Sequence, residues 1–197
     1  MARRVRVVDE VALSNGRFPL TRARAEIEEA DGARRIVNYE IYRHGPAAAA
    51  LLYDAGRGVV LLVKQFRLAA YFADGALETI EVCAGMLDGD DAEACATREV
   101  WEETGVRIAA ARRVFDAYTS PGGMTEKIAC FVAPYSAADR VGAGGGVDAD
   151  ERIEIVELPF DDALAMIESG AIRDAKTIAL LYYAKAKALF APTAARG

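Results

Sequence analysis

Glu99 and Glu103 stand four residues apart in the run Arg98-Glu99-Val100-Trp101-Glu102-Glu103. On a helix that spacing puts both carboxylates on one face, about 6 Å apart at Cβ. Glu102 lies one step round, and Arg98, four residues before it, can pair with it and orient it. Like charges at this spacing cost a helix roughly a few tenths of a kcal/mol, a cost that a cation offsets. Hard oxygen donors of this kind suit Mg²⁺ or Mn²⁺, which keep waters and share coordination with substrate phosphates. A solvated acidic face is the plain alternative. Against it, Ala92, Ala96 and Val100 fall on the same side, so the carboxylates border a buried stripe, and buried carboxylates need partners.

The elements that must position this helix follow from its flanks. Thr79 to Cys83 reads as a strand, Gly85 and Gly89 as a loop where backbone turns or approaches a ligand closely. Asp90 is the expected N-cap, with Glu93 at the reciprocal position, and Gly105 the expected C-cap. Upstream, Ala47 to Tyr53 and Gly58 to Phe66 read as strands around Asp54-Ala55-Gly56, and Leu68 to Leu77 as a loop of small residues. Residues 5–43 form a β appendage in which Leu20 to Glu29 and Arg34 to Arg43 flank an Asp31-Gly32 hairpin turn. Such a meander has little core of its own. Downstream, Arg112 to Tyr118 and Lys127 to Tyr135 read as strands around Ser120-Pro121-Gly122-Gly123-Met124-Thr125-Glu126, where Pro-Gly-Gly demands a turn. A glycine run, Gly142 to Gly146, then leads into the acidic Asp148-Ala149-Asp150-Glu151, as a catalytic loop or a solvated surface loop would require. Ile153, Ile155 and Leu158 mark another strand. Asp161 to Gly170 and Thr177 to Phe190 read as helices, the second with Ile178, Leu181, Tyr182, Ala186 and Leu189 as its packed stripe and lysines opposite. His44, the sole histidine, has no assigned role, and Trp101 reads as packing.

The chain has 197 residues and a formal net charge of −6. That length suits one domain, or one with a small appendage. The acidic balance argues against a nucleic-acid surface, although bound metal can reverse the local sign for a phosphorylated substrate. No apolar run is long enough to span a membrane, and no signal peptide is visible. Three cysteines without paired spacing read as small buried hydrophobes, so the cytoplasm is the expected compartment.

The helix and its flanks resemble the Nudix box, G-x5-E-x7-R-E-U-x-E-E-x-G-U with U apolar. Gly85, Arg98-Glu99, Val100, Glu102-Glu103, Gly105 and Val106 fit. Asp91 stands at the first acidic position, and the gap from it to Arg98 is one residue short. This shortened, Asp-containing box resembles that of the GDP-mannose pyrophosphatases, a similarity that covers most of the chain, including Gly170 to Thr177. The resemblance implies an α/β fold: a Nudix α/β/α sandwich with a mixed sheet (residues 44–197) and an N-terminal antiparallel β extension (residues 1–43). In those enzymes the extension crosses to the partner of a homodimer and helps form the nucleotide pocket. Glu40 matches that pattern, whereas Asn38 and Tyr39 replace basic residues.

The resemblance further implies Mg²⁺, with Mn²⁺ able to substitute, held by Glu99, Glu103 and the carbonyl of Ala84. Arg98 would orient Glu102. Glu151 falls where the related enzymes place a loop glutamate that binds metal or assists catalysis; one extra residue in the acidic run leaves Asp150 or Asp148 as alternatives. Substrate contacts are expected from Glu40, Arg67, Ala84, Gly85, Met86, Glu126 and Asp150. Of these, Arg67 ends Gln65-Phe66-Arg67 as a bidentate clamp on a diphosphate oxygen, for which guanidinium geometry is suited. Glu126 matches a glutamate at the sugar end in ADP-ribose and GDP-mannose hydrolases. The implied reaction is hydrolysis of a nucleoside diphosphate sugar, GDP-mannose to GMP and mannose 1-phosphate. ADP-ribose is the alternative substrate, and a ligand-sensing Nudix module without turnover is the alternative outside enzymes.

Overall fold

The computed structural model describes residues 2–147 and 152–190. The chain divides into two compact units: residues up to Pro46 with Tyr118–Lys127, and Ala47–Ala117 with the residues from Ile128 onward. The Ser-Pro-Gly loop thus groups with the N-terminal residues.

In the first unit β1 (Arg4–Asn15), β2 (Pro19–Glu28) and β3 (Arg34–Tyr42) form an antiparallel sheet in that order. The β2–β3 turn lies at Asp31-Gly32, with Gly32 N–H bonded to the Glu29 carbonyl. Strand period sorts the side chains. Val5 and Val7 stand opposite Ile27 and Ala25, and Val37 and Tyr39 continue that face from β3. The opposite face carries Arg6 with Glu26 and Arg34 with Glu28. Tyr42 pairs back onto Met124, which ties the Ser-Pro-Gly turn to the end of β3.

The second unit is a seven-stranded mixed sheet of β4 (Ala47–Asp54), β5 (Val59–Gln65), β6 (Thr79–Glu81), β7 (Cys83–Met86), β8 (Arg112–Tyr118), β9 (Lys127–Pro134) and β10 (Glu154–Pro159). Its helices are α1 (Leu68–Asp74), α2 (Ala92–Thr104), α3 (Phe160–Glu168) and α4 (Ala175–Ala186). Alternate residues of β4 go to opposite cores. Ala48, Ala50 and Leu52 pack with Cys95, Ala96 and Val100 of α2, while Ala47, Ala49 and Leu51 pack with Phe160, Ala163, Leu180 and Leu181 of α3 and α4. Small alanines on β4 let both layers lie close, and two buried faces explain why the strand reads as one apolar run rather than an alternating one. The expected α/β/α layering of a mixed sheet, and the antiparallel sheet at the N-terminus, are both present.

The sheet is split. β4 and β5 pair only over Leu52–Asp54 and Val59–Leu61, and then part. The strand expected at Thr79 to Cys83 is two short pieces that fill the gap: β6 pairs with β5, and β7 pairs with β4.

Three local expectations are corrected. Leu68 to Leu77 is not a loop: Leu68–Asp74 is a helix, closed by Gly75 with φ 81°. Leu68 to Ala73 are all apolar, so no polar face sets a helical period there, and the helix buries no residue. The cap of α2 is Asp91, whose side chain accepts from the N–H groups of Glu93 and Ala94. Asp90 is held one residue earlier by a turn onto the Leu87 carbonyl. On α4 the buried stripe is Thr177, Leu180, Leu181 and Ala184, so Tyr182 points out and bonds Glu168 at 2.7 Å. Among the described residues no helix is long and apolar enough to cross a membrane.

Candidate active site

The carboxylate-bearing helix α2 lies against β7, and its close approach depends on one glycine. A Cβ on Gly85 would sit 2.0 Å from Glu99 Cδ, so only glycine lets that carboxylate rest on the strand. Neighbouring carbonyls hold the same face of the helix: Met86 O receives Cys95 Sγ at 3.2 Å and Arg98 Nη2 at 3.3 Å. Ala84, Gly85 and Met86 thus lie on the strand that packs against α2.

Arg98 does more than the spacing suggested. Its Nη1 lies 3.2 Å from Glu102 and 2.8 Å from Glu99, and Nε lies 3.6 Å from Asp90. It thus holds Glu99 and Glu102, two of the three carboxylates in the second half of the helix.

Glu103 is the odd member. It is 4% exposed, and its Oε2 is a buried oxygen with no hydrogen-bond partner among the described residues. Burial pushes its carboxyl up to about 8, and the nearby Glu99 charge adds to this, while the Cys83 thiol and Arg67 act in the opposite sense. A buried, unpartnered carboxylate oxygen costs about 1–3 kcal/mol or more, and among the described residues no cation bonds that oxygen. Divalent cations fit this donor set of carboxylate oxygens and strand carbonyls. Among the described residues no three His, Cys, Asp or Glu side chains converge as a ready-made metal cage. Mg²⁺ rarely uses one, since it keeps waters and takes oxygens from the substrate.

The glycine run after Arg140 has a defined job. Gly145 and Gly146 donate to the carbonyls of Glu103 and Glu102 at 2.8 and 3.1 Å, satisfying the last turn of α2. A Cβ on Gly144 would lie 2.6 Å from Glu103 O. Gly144 to Gly146 therefore lie at the C-terminal end of the helix that carries the carboxylates. Asp148, Asp150 and Glu151 themselves lie outside the described residues.

Arg67 is neither a free strand end nor an unengaged clamp. Its Nε and Nη2 donate to Glu81 at 2.9 and 3.0 Å, so that edge of the fork is taken and a bidentate grip on substrate cannot use it. Glu81 is buried, and Lys176 reaches it at 2.7 Å. Burial alone would raise the Glu81 carboxyl; Arg67 and Lys176 outweigh it and hold Glu81 well below the usual carboxylate range. Sequence reasoning missed Glu81 and Lys176. The one available signal was a glutamate inside an apolar strand, which needs a cation.

In the first unit Glu40 is exposed on β3. Glu126 meets His44, whose Nδ1 lies 3.0 Å from Glu126 Oε1 with both side chains largely covered. Phe18 stacks on the His44 ring at 4.2 Å between centroids, and Thr125 Oγ1 donates to the His44 carbonyl at 2.7 Å. The histidine left without a role thus fixes a predicted sugar-contacting residue.

A cavity of about 700 Å³ lies along another side of α2, lined by Asp91, Thr97, Arg98, Trp101, Arg107 and Ile108 among others. Glu99 and Glu103 do not line it, and Arg107 stacks over Trp101 at 5.4 Å, so Trp101 packs rather than facing the paired carboxylates.

Comparison with known proteins agrees with this geometry. The family pattern described as NUDIX domain matches residues 43–181. A GDP-mannose pyrophosphatase of Cronobacter sakazakii is 44% identical over 186 residues, 93% of this chain and 96% of the relative. One from Klebsiella pneumoniae is 43% identical over 192 residues, 96% of each. Among solved structures, the crystal structure of an ADP compounds hydrolase superposes with a TM-score of 0.71 over 93% of this chain and 96% of that one, at 16% identity, a likeness of fold. With its box helix, split sheet and full-length relatives, the chain belongs to the Nudix family and is a hydrolase of the pyrophosphatase kind.

Proposed function

We propose that this protein hydrolyses the diphosphate of a nucleoside diphosphate sugar with the help of Mg²⁺, and that GDP-mannose is cleaved to GMP and mannose 1-phosphate. The observation that carries the metal-assisted reading is the orphaned Glu103 oxygen beside Glu99. The substrate is supported by relatives named for GDP-mannose that align along nearly the whole chain.

Two ionised phosphates repel an attacking water, so the site must neutralise charge and align the nucleophile. Glu99, Glu103 and the Ala84 carbonyl would hold Mg²⁺ (or Mn²⁺), with Glu151 as a further ligand or general base. When bound, a divalent ion offsets the phosphate charge and makes nearby water more acidic. Arg98 keeps Glu99 and Glu102 from swinging away. Arg67 presents its remaining Nη1 donors to a phosphate oxygen, and Glu40, Glu126 and Asp150 contact the nucleoside and sugar ends. Gly85 and Met86 line the diphosphate with backbone.

The apolar face of the N-terminal sheet supports a homodimer: Val5 and Val7 are each more than half exposed on the face they share with Tyr39, an edge that soluble chains cover. Three free buried thiols suit a cytoplasmic setting.

Product analysis tests the substrate. Purified protein with Mg²⁺ is expected to release GMP and mannose 1-phosphate from GDP-mannose faster than AMP and ribose 5-phosphate from ADP-ribose. The reverse preference would reassign the substrate, and binding without products would make the chain a sensor.

A further inference from the structure

Residues Asp174 to Thr177, which the sequence resemblance singles out and the mechanism leaves unused, are built into the split in the sheet. Val82 sits where β6 gives way to β7 and is paired in neither ladder. Its N–H is taken instead by Thr177 Oγ1 at 2.8 Å, and that hydroxyl donates to Asp174 Oδ2 at 2.6 Å. The adjacent Lys176 bonds Glu81 Oε2 at 2.7 Å and Asp174 Oδ1 at 3.0 Å. Glu81 Oε1 receives Thr79 Oγ1 at 2.6 Å and Arg67 Nε at 2.9 Å, and its Oε2 receives Arg67 Nη2 at 3.0 Å. The head of α4 is thereby connected to Arg67 through one buried carboxylate.

Stability alone is a weak reason for this arrangement, because buried ion pairs are often no better than apolar packing of the same volume. What it does fix is direction. A guanidinium with its Nε–Nη2 edge occupied cannot rotate, and its Nη1 has no partner among the described residues. Arg67 is 45% exposed at the side chain, and its charge is felt at Glu103. We propose that Glu81, pinned by Lys176 from the head of α4, is a positioning residue that aims Arg67 Nη1 at the substrate diphosphate. This rests on the reading of Arg67 as a phosphate contact.

A double-mutant cycle read by GDP binding in the presence of Mg²⁺ tests it. Arg67→Ala and Glu81→Gln are each expected to weaken GDP binding about tenfold, and the pair together by no more than either alone. In turnover of GDP-mannose, Glu81→Gln should raise KM about tenfold and leave kcat within about threefold. Mn²⁺ affinity, followed by electron paramagnetic resonance, should not change. Should Glu81→Gln lose its fold, the charge-balanced Glu81→Gln/Lys176→Met chain carries the same measurement. Effects that multiply toward a hundredfold, or a Glu81→Gln chain that binds GDP like wild type, would overturn the positioning role. Absence of turnover in the wild type would contradict the proposed function alone, and the GDP cycle would still decide the role of Glu81.

Discussion

Two buried glutamates flank the split in the sheet, Glu81 on β6 and Glu103 on α2, at 3% and 4% exposure. Their surroundings are opposite. Glu81 is met by Arg67, Lys176 and Thr79. Glu103 keeps an oxygen with no donor among the described residues, next to a second carboxylate. The same side chain at the same depth is thus neutralised internally in one place and left in deficit in the other. Among the described residues two cations bond one carboxylate and none bonds the other, which leaves the second open to a cation from outside.

The largest test of this contrast is kinetic. Glu103→Gln should cut turnover by on the order of a thousandfold, with an unchanged circular dichroism spectrum. Activity near wild type would remove Glu103 from the chemistry. Stability should separate the pair in the opposite direction: Glu81→Gln strands the largely covered Lys176 and the half-exposed Arg67 and should cost about 3 kcal/mol in urea denaturation, whereas Glu103→Gln should cost nothing or stabilise the metal-free chain.

The pH dependence of the metal-free protein sharpens this further. Glu103 is raised from 4.5 to about 8, so the folded state holds its proton longer than the unfolded chain. Stability should therefore fall as pH rises from about 4.5 to about 8, by a few kcal/mol at most. For Glu81 the folded value is depressed, so its contribution is fully present above the unfolded value of 4.5 and is lost as pH falls through the folded one. Melting curves across pH should lose the neutral-side slope in Glu103→Gln and the acid-side slope in Glu81→Gln; identical profiles would mean the two sites do not differ as described.

A smaller effect is expected from Gly85→Ala. The new Cβ, 2.0 Å from Glu99 Cδ in the present geometry, must displace that carboxylate, lowering turnover about a hundredfold with only a modest shift in melting temperature. Smallest of all, His44→Gln frees Glu126 and should raise KM for GDP-mannose a few-fold without touching kcat, as steady-state kinetics will show.

The half of this contrast that concerns Glu103 was legible in the sequence. Its four-residue spacing from Glu99, the Ala96–Val100 stripe and the Gly105 stop are local properties of one helix, and all three hold. The half that concerns Glu81 was not. Its partners are 14 and 95 residues away, and only the parting of β4 from β5 brings them together. His44 and Glu126 meet across 82 residues of sequence beside the bridge of Tyr42 to Met124. Helix α1 was read as a loop because Leu68 to Ala73 are apolar throughout, which leaves no polar face to set a period. The cap of α2 was misplaced by one residue because Asp88 and Gly89 both take positive φ, extending the turn before the helix begins. The packed stripe of α4 was set one position off because Thr177 and Lys176, both polar, face inward to serve Val82 and Glu81. Helical period assigns faces by apolarity, and here buried polar work decided the face.

Mn²⁺ titration of the wild type and of Glu103→Gln, with the protons released measured at pH 7, probes the cation deficit most directly. Because Glu103 is mostly protonated there in the metal-free chain, the wild type is expected to bind Mn²⁺ and expel close to one proton per ion. The variant should lose both the affinity and the proton. Equal affinity in the two chains, or binding without proton release, would contradict the claim that the orphaned carboxylate is where the metal goes.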